Sequence, residues 1–213
     1  MSYTRPKSRG KMVTTFAHQM SSSRIKALVG ASVLLLCMGT PCPGFQGDVA
    51  TRVTRAIDLM SHQPKAARRE LKKIGAPAFP HILRAIRDDS VLGPIKKAFL
   101  IDVIGKSRTQ EAALALTELL SYSDAFVRGL AVSHLGKRRY KPAIPYLVHL
   151  LDDKEVFVTN MQTDPDRNEP VLVRDNAMEA LQAITGRTMD AGATQDERAR
   201  AWVRWWEKQQ RSK

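Results

Sequence analysis

The sequence predicts an all-α fold, an α-solenoid of about four stacked helix pairs. The first observation is an internal repeat, because GAPAFPHILRAI and YKPAIPYLVHLL share a Pro-Ala-x-Pro core. The same interval separates Pro77 from Pro142 and Pro80 from Pro145. The second observation is a period of about 30 residues, which is typical of helix-turn-helix units that bury their apolar faces by stacking.

Each copy of the repeat predicts an amphipathic helix. Proline is accepted in the first turn of a helix, where its missing N–H needs no partner. The apolar residues that follow recur at intervals of three and four, the spacing of one helix face. They are Phe79, Ile82, Leu83 and Ile86 in the first copy and Ile144, Leu147, Val148 and Leu151 in the second.

Two further units and a leading helix complete the series. Apolar stripes of the same kind are formed by Ala113, Leu116 and Leu120, and by Val173, Ala177, Leu181 and Ile184. A leading helix is expected at about 48–61. Gly105 and Gly136 follow apolar runs about 30 residues apart, and glycine often stands just past a helix end. We therefore predict that each of them ends a helix.

The last unit begins later than the period requires, which predicts an insertion at about 154–170. Insertions in solenoids cluster on one face, often the binding face, so this loop is a candidate for specificity. Asp164, Asp166 and Asn168 alternate as at the opening of a calcium loop. Glu169 stands where that loop needs glycine, so the alternative is a loop that leads into a helix. In that alternative Asn168 is the cap and Pro170 lies inside the first turn.

The segment RARAWVRWWEK predicts a Trp-rich C-terminal capping helix. Its spacing places Trp202, Trp205 and Trp206 on one side and charged residues on the other. Because the last repeat of a solenoid needs a covering helix, we expect these rings to close the core, mainly Trp202 and Trp206 against the last stripe. An exposed aromatic ligand site is the alternative.

The segment DAFVRGLAVSHLGKRRYKPAIPYLVHLLDD resembles a HEAT repeat of the short bacterial kind, whose pattern is roughly VR-x-x-A-x-x-x-LG followed by A-[VI]-P-x-L. The resemblance covers about residues 65–187 and is least regular in the second unit, where Lys96 and Leu100 replace Val and Ala. ITG followed by a W-x-x-WW helix is also similar to the ending of many exported bacterial HEAT-repeat proteins. The resemblance implies a solenoid that binds another protein.

Residues 1–44 have the composition of an export signal or an N-terminal membrane anchor. Six basic residues and no acid occupy positions 1–26, and the apolar run ALVGASVLLLCMG follows. This run is short for a membrane span. Cleavage before Phe45, from Met1 or from a start at Met20, would leave a repeat domain at 45–213 in the periplasm or outside the cell. Cys37 and Cys42 both lie in the signal, so the mature chain would have no disulfide.

Catalytic, cofactor and metal motifs are not found in the sequence. None of the five histidines has a second histidine or acid at metal-ligand spacing, and the HE pairs of HEAT-like hydroxylases do not occur. No Ser-based or P-loop motif is present either. We therefore expect no enzyme and no cofactor.

The chain is basic, with a formal net charge of +13 at pH 7. Its clusters are KAARRELKK at 65–73 and KRRYK at 137–141, which makes Lys137, Arg138, Arg139 and Lys141 candidate binding residues. Such residues can neutralise phosphates, as the basic concave face of HEAT-like DNA glycosylases does. They can equally form a solvated helix face, favoured by the negative end of the helix dipole. Export argues against a nucleic acid.

These observations favour an exported, non-catalytic scaffold that binds another protein. The first alternative is binding of nucleic acid or another anionic polymer through the basic clusters. The second is a bilin lyase-like subunit or chaperone, which rests on fold analogy alone.

Overall fold

Nine α-helices and two short strands are present in the residues that the computed structural model describes, which are 48–88, 92–158, 170–189 and 194–212. The helices are α1 Val49–Leu59, α2 Pro64–Ile74, α3 Phe79–Arg87, α4 Pro94–Lys106, α5 Gln110–Glu118, α6 Ala125–Lys137, α7 Ile144–His149, α8 Val173–Thr185 and α9 Gln195–Arg211. The strands are β1 Val156–Val158 and β2 Val171–Leu172. The predicted all-α class is confirmed.

The helices form four pairs, α2–α3, α4–α5, α6–α7 and α8–α9, and α1 precedes them. The first helices of successive pairs pack on one another in the order α2, α4, α6, α8. Helix α1 packs on α2 and corresponds to the leading helix predicted at about 48–61. The Trp-rich helix is α9, so it is the second member of the last pair and no separate helix follows that pair in the described residues.

The predicted apolar stripes form one continuous core. Ile82, Leu116, Leu147 and Leu181 represent the four units, and each is fully buried. The same buried cluster extends from Val53 in α1 to α9. Each helix covers the stripe of its neighbours, so removal of apolar surface from water stabilises the stack as a whole.

Prolines begin the helices as predicted, with one refinement. Pro80 and Pro145 lie in the first turns of α3 and α7. Pro77 and Pro142 lie earlier, in the 3-10 turns Ala76–Ala78 and Lys141–Ala143 that lead into those helices. The repeated Pro-Ala-x-Pro sequence therefore encodes a 3-10 turn followed by an α-helix, since proline's fixed φ suits both.

The prediction that Gly105 and Gly136 end their helices is wrong, because α4 and α6 each continue one residue further. These glycines allow close packing instead. A Cβ atom on Gly105 would lie 2.1 Å from Nδ1 of His134, and one on Gly136 would lie 2.9 Å from Cβ of Ala180. The first contact joins the C-terminal ends of α4 and α6, and the second joins the end of α6 to α8. Because Lys97, near the start of α4, also pairs with Asp124, which precedes α6, these two helices run parallel.

Ion pairs with largely buried cations lie near the starts of α4, α6 and α8. Each pair joins a cation near the start of α4, α6 or α8 to an acid that follows it in the chain. The pairs are Lys97 with Asp124, Arg128 with Asp153, and Arg174 with Asp196. Asp124 also accepts the backbone N–H of Phe126 at the start of α6. The Lys97–Asp124 pair thus joins the second helix pair to the third, whereas the Arg174–Asp196 pair joins α8 to α9 within the last pair.

The predicted insertion is bounded by an antiparallel pair of strands. Val156 is paired with Leu172, and Val158 with Val171. The prediction that Pro170 lies inside the first turn of the next helix is wrong, because residues 171–172 pair with β1 before α8 begins at Val173. The backbone N–H of Leu172 donates to Asp175 at 3.2 Å, which caps this helix start.

The C-terminal helix covers the end of the core, as predicted. Trp202 is only 2% exposed and belongs to the continuous core, whereas Trp205 and Trp206 are half-buried and pack at its edge. The Trp202 and Trp205 rings meet edge to face, with centroids 5.4 Å apart. Helix α9 packs on α8 and α7, so Trp202 closes the last pair.

Candidate functional site

The predicted basic cluster lies where α6 ends. Lys137 is the last residue of α6, Arg139 has a left-handed backbone with φ of 51°, and Lys141 begins the 3-10 turn before α7. These three side chains are exposed, whereas Arg138 is half-buried. The cluster therefore contains two kinds of residue.

Arg138 is a structural contact between repeats. Its guanidinium donates to the backbone carbonyl of Ser107 and, at 2.7 Å, to that of Thr109. These carbonyls belong to the turn between α4 and α5, so Arg138 ties the end of α6 to the preceding pair. The interpretation of the whole cluster as a solvated face is wrong for Arg138.

A cleft of about 610 Å³ opens between the C-terminal ends of α4 and α6. We call it the basic cleft. It is lined by Asp102, Gly105, Lys106, Arg108, His134, Lys137 and Arg138. The sequence placed two of these residues, Lys137 and Arg138, in a binding cluster, and the fold adds Lys106 and Arg108 from the preceding repeat.

The pKa of His134 reflects the burial and the charges of the basic cleft. Burial of the imidazole lowers its pKa below the ordinary value, and the positive charges of Lys137, Lys106 and Arg138 lower it further. Asp102 acts in the opposite direction but does not reverse the shift. The neutral imidazole is therefore favoured at this position.

Asp102 is neutralised within the fold. Its Oδ2 atom lies 2.5 Å from Nη1 of Arg68 and 3.0 Å from Nζ of Lys106. Burial acts to raise the pKa of Asp102, but the hydrogen bonds from these two cations outweigh it and the pKa is lowered. Asp102 therefore leaves little negative charge to offset the other cations of the cleft.

A second depression, which we call the apolar groove, lies between α5 and α7. Its volume is about 500 Å³, and it is lined by Leu114, Thr117, Glu118, Leu120, Ser121, Tyr146, His149 and Leu150. Leu114 is 56% exposed and Tyr146 is 53% exposed. Both side chains present apolar surface to solvent in a groove whose lining also includes the buried Leu120.

Sequence reasoning did not identify the apolar groove. Leu114 and Tyr146 lie off the buried stripes of their helices, at positions where an amphipathic helix normally carries polar residues. An apolar residue next to a stripe is therefore the signal that could have identified each of them. Only the packing of the repeats brings Leu114 and Tyr146 into the same groove.

The predicted loop residues Asp164, Asp166 and Asn168 lie outside the described residues. So does the predicted export signal or membrane anchor at 1–44. Among the residues that the structure describes, no three His, Cys, Asp or Glu side chains are grouped as metal ligands. Within the same residues, no helix is both long and apolar enough to cross a bilayer.

Comparison with known families identifies the repeats. A family model described as HEAT repeats matches residues 94–163, which contain the pairs α4–α5 and α6–α7. Comparisons with curated proteins and with solved structures gave no significant match. HEAT repeats generally mediate protein–protein interactions and are generally non-catalytic. Residues 94–163 therefore contain HEAT repeats, and further helix pairs stack on them from both sides.

Proposed function

We propose that this protein is a non-catalytic scaffold that binds another protein through the apolar groove. The observation that carries the proposal is the exposure of Leu114 and Tyr146 on facing helices of adjacent repeats. Contiguous exposed apolar surface on a folded domain is typical of interaction sites. HEAT repeats generally serve such interactions, which supports the same conclusion.

Two of the most exposed large apolar residues share this groove. Ile95, Leu114, Tyr146 and Val156 are the large apolar residues with the highest exposure in the described residues, and two of the four line the groove. Leu114 belongs to α5 and Tyr146 to α7, so adjacent repeats contribute one each. A surface shared by two repeats is formed only when the solenoid is assembled.

The chemistry of the groove favours an apolar helix or loop of a partner protein. Tyrosine is enriched at the energetic centres of protein interfaces, because its ring buries a large area while its hydroxyl keeps a hydrogen bond. Thr117, Glu118, Ser121 and His149 supply polar groups to the same groove. The groove thus combines apolar and polar side chains, as protein interfaces do.

We also propose that the scaffold acts outside the cytoplasm. The support for this location is the order of basic and apolar residues in positions 1–44.

Site-specific photo-crosslinking tests the binding surface. A photoreactive phenylalanine derivative replaces Tyr146 in the full chain, and the same derivative replaces Ile95 in a control chain, since Ile95 is 85% exposed and lies outside the groove. In extracts of the producing cells, we expect a discrete crosslinked protein from position 146 and not from position 95. That protein is then purified and titrated against the unmodified chain.

Polar substitutions complete the test. Leu114→Glu places a charge in the groove, so it should remove the crosslink and weaken the titrated affinity by about tenfold or more. The matched variant Ile95→Glu should leave both unchanged. Equal crosslinking from both positions, or an affinity that Leu114→Glu does not alter, would contradict the proposal.

A further inference from the structure

We infer that the basic cleft binds an acidic segment of the partner protein. This inference rests on the proposed function only in that the ligand is a protein. It concerns a different surface, at the C-terminal ends of α4 and α6, and it names the chemistry of the segment bound there.

The parallel arrangement of α4 and α6 creates the cleft. Gly105 and His134 are in contact near the ends of the two helices, so the residues that follow each helix emerge side by side. Lys106 and Arg108 come from one repeat, and Lys137 comes from the next. The Lys106 side chain is 68% exposed, and Arg108 and Lys137 are also exposed, so all three can reach a ligand.

The positive charge of the cleft is not balanced within the described residues. Asp102 is the one carboxylate among the lining residues, and it is paired with Arg68, which lies outside the lining, as well as with Lys106. Arg108 and Lys137 form no ion pair with other described residues. An anionic group placed between them would gain attraction from both.

Stabilisation of helix ends does not account for all of these cations. A basic residue in the last turn interacts favourably with the helix dipole, by about 0.3–1 kcal/mol, and Lys106 and Lys137 occupy such positions. Arg108 lies beyond the end of α4 and faces Arg138. Burial lowers the pKa of Arg138, and the charge of Arg108 contributes to the lowering despite the opposing effect of Tyr140. This like-charge repulsion would be relieved by a bound anion.

An acidic peptide fits the cleft better than a nucleic acid. A DNA-binding protein with a strong electrostatic contribution makes about 6–10 phosphate contacts, whereas the cleft has four cations, one of which already binds backbone carbonyls. Single-stranded nucleic acids are usually held by aromatic side chains on which bases stack, and the one ring in the lining is the imidazole of His134. The volume of about 610 Å³ lies within the roughly 300–1,000 Å³ of clefts that hold small ligands, so the cleft has room for a few acidic side chains.

Direct binding measurements test the inference. The probes are a fluorescent octaglutamate peptide and a fluorescent thymidine octanucleotide, each titrated against the full chain at low and at physiological salt. The cleft variant is Arg108→Gln with Lys137→Gln. The control is Lys65→Gln with Arg69→Gln, which removes the same charge from exposed positions of α2. All the altered side chains are exposed, so thermal unfolding should show that each variant remains folded.

We expect the peptide to bind the full chain, and the cleft variant to weaken this binding by about tenfold. The control should change it by less than about twofold. A bound carboxylate should also raise the pKa of His134, measured from its ring proton resonances, which His134→Gln assigns. Leu114→Glu should not affect peptide binding, so the result does not depend on the apolar groove.

Three outcomes would overturn the inference. They are no peptide binding at low salt, an equal loss in the cleft and control variants, and tighter binding of the oligonucleotide that the cleft variant abolishes. The last would assign the cleft to nucleic acid. If the crosslink from position 146 succeeds and any of these three outcomes is found, the proposed function holds and only the acidic ligand of the cleft is excluded.

Discussion

The Nε atom of Arg128 lies 2.8 Å from Oδ2 of Asp153, and both side chains are buried at the junction between the third and fourth helix pairs. The same guanidinium donates to Glu155 at 3.0 Å and to the carbonyls of Tyr122 and Ser123. One side chain therefore satisfies groups before α6 and groups before β1. Its pKa is raised, because these partners outweigh the effect of burial.

Replacement of Arg128 by alanine should destabilise the protein by about 3–5 kcal/mol, since it leaves Asp153 buried without its cation. Urea unfolding measures the change. Arg69→Ala, at an exposed position of α2, is the control and should cost less than about 0.5 kcal/mol. A loss below about 1 kcal/mol for Arg128→Ala would show that the contact is not needed for repeat stacking.

Gly105→Ala should destabilise the protein by about 1–3 kcal/mol, because the new methyl group would overlap the His134 ring. This cost should exceed the gain in helix propensity that alanine brings, about 1 kcal/mol. Combining it with His134→Ala should recover most of the loss. Additive effects in the double-mutant cycle would indicate that the two residues are not in contact.

His134 should make the protein less stable in mild acid. Because burial and neighbouring cations lower its folded pKa, the unfolded chain binds a proton more readily. The stability is complete above the unfolded pKa, about 6.5, and is lost as pH falls through the folded pKa. Urea midpoints between pH 7.5 and 5 should fall for the unaltered chain, and the fall should be smaller for His134→Gln. Identical pH profiles would exclude this role.

Trp202→Ala should cost about 3–5 kcal/mol, since this ring is 2% exposed in the core. Trp206→Ala should cost less than half as much, because Trp206 is half-buried. Hydrogen exchange should show that Trp202→Ala opens α8 and α9 first and spares α2 and α3, since solenoid repeats transmit a loss mainly to neighbours. A uniform increase in exchange would contradict this.

A reporter enzyme that is active only outside the cytoplasm, fused after residue 60, should be active if residues 1–44 direct export. The control is the same fusion without residues 1–44, which should be inactive. Activity confined to cell fractions that retain the membrane would indicate an anchor. An inactive full-length fusion would contradict export and would strengthen the nucleic-acid alternative.

Features that depend on residues close together in the chain could be predicted from the sequence. The stripe of Val173, Ala177, Leu181 and Ile184 is buried as the period of 3.6 requires, and Pro80 and Pro145 begin helices. The cluster at the end of α6 was also visible, because its residues are consecutive. Helix periodicity and proline geometry are local properties, and therefore a single sequence determines them.

Only the tertiary structure decided which residues meet across repeats. The sequence predicts that Gly105 ends a helix, whereas the structure places it against the ring of His134. The sequence predicts that Pro170 begins a helix, whereas residues 171–172 pair with β1. The groove between Leu114 and Tyr146 and the union of Arg108 with Lys137 in one cleft arise in the same way. The sequence by itself determined the helices, their buried faces and the repeat. Tertiary structure decided the surfaces, because the rotation and spacing of stacked helices depend on side-chain contacts between residues far apart in the chain.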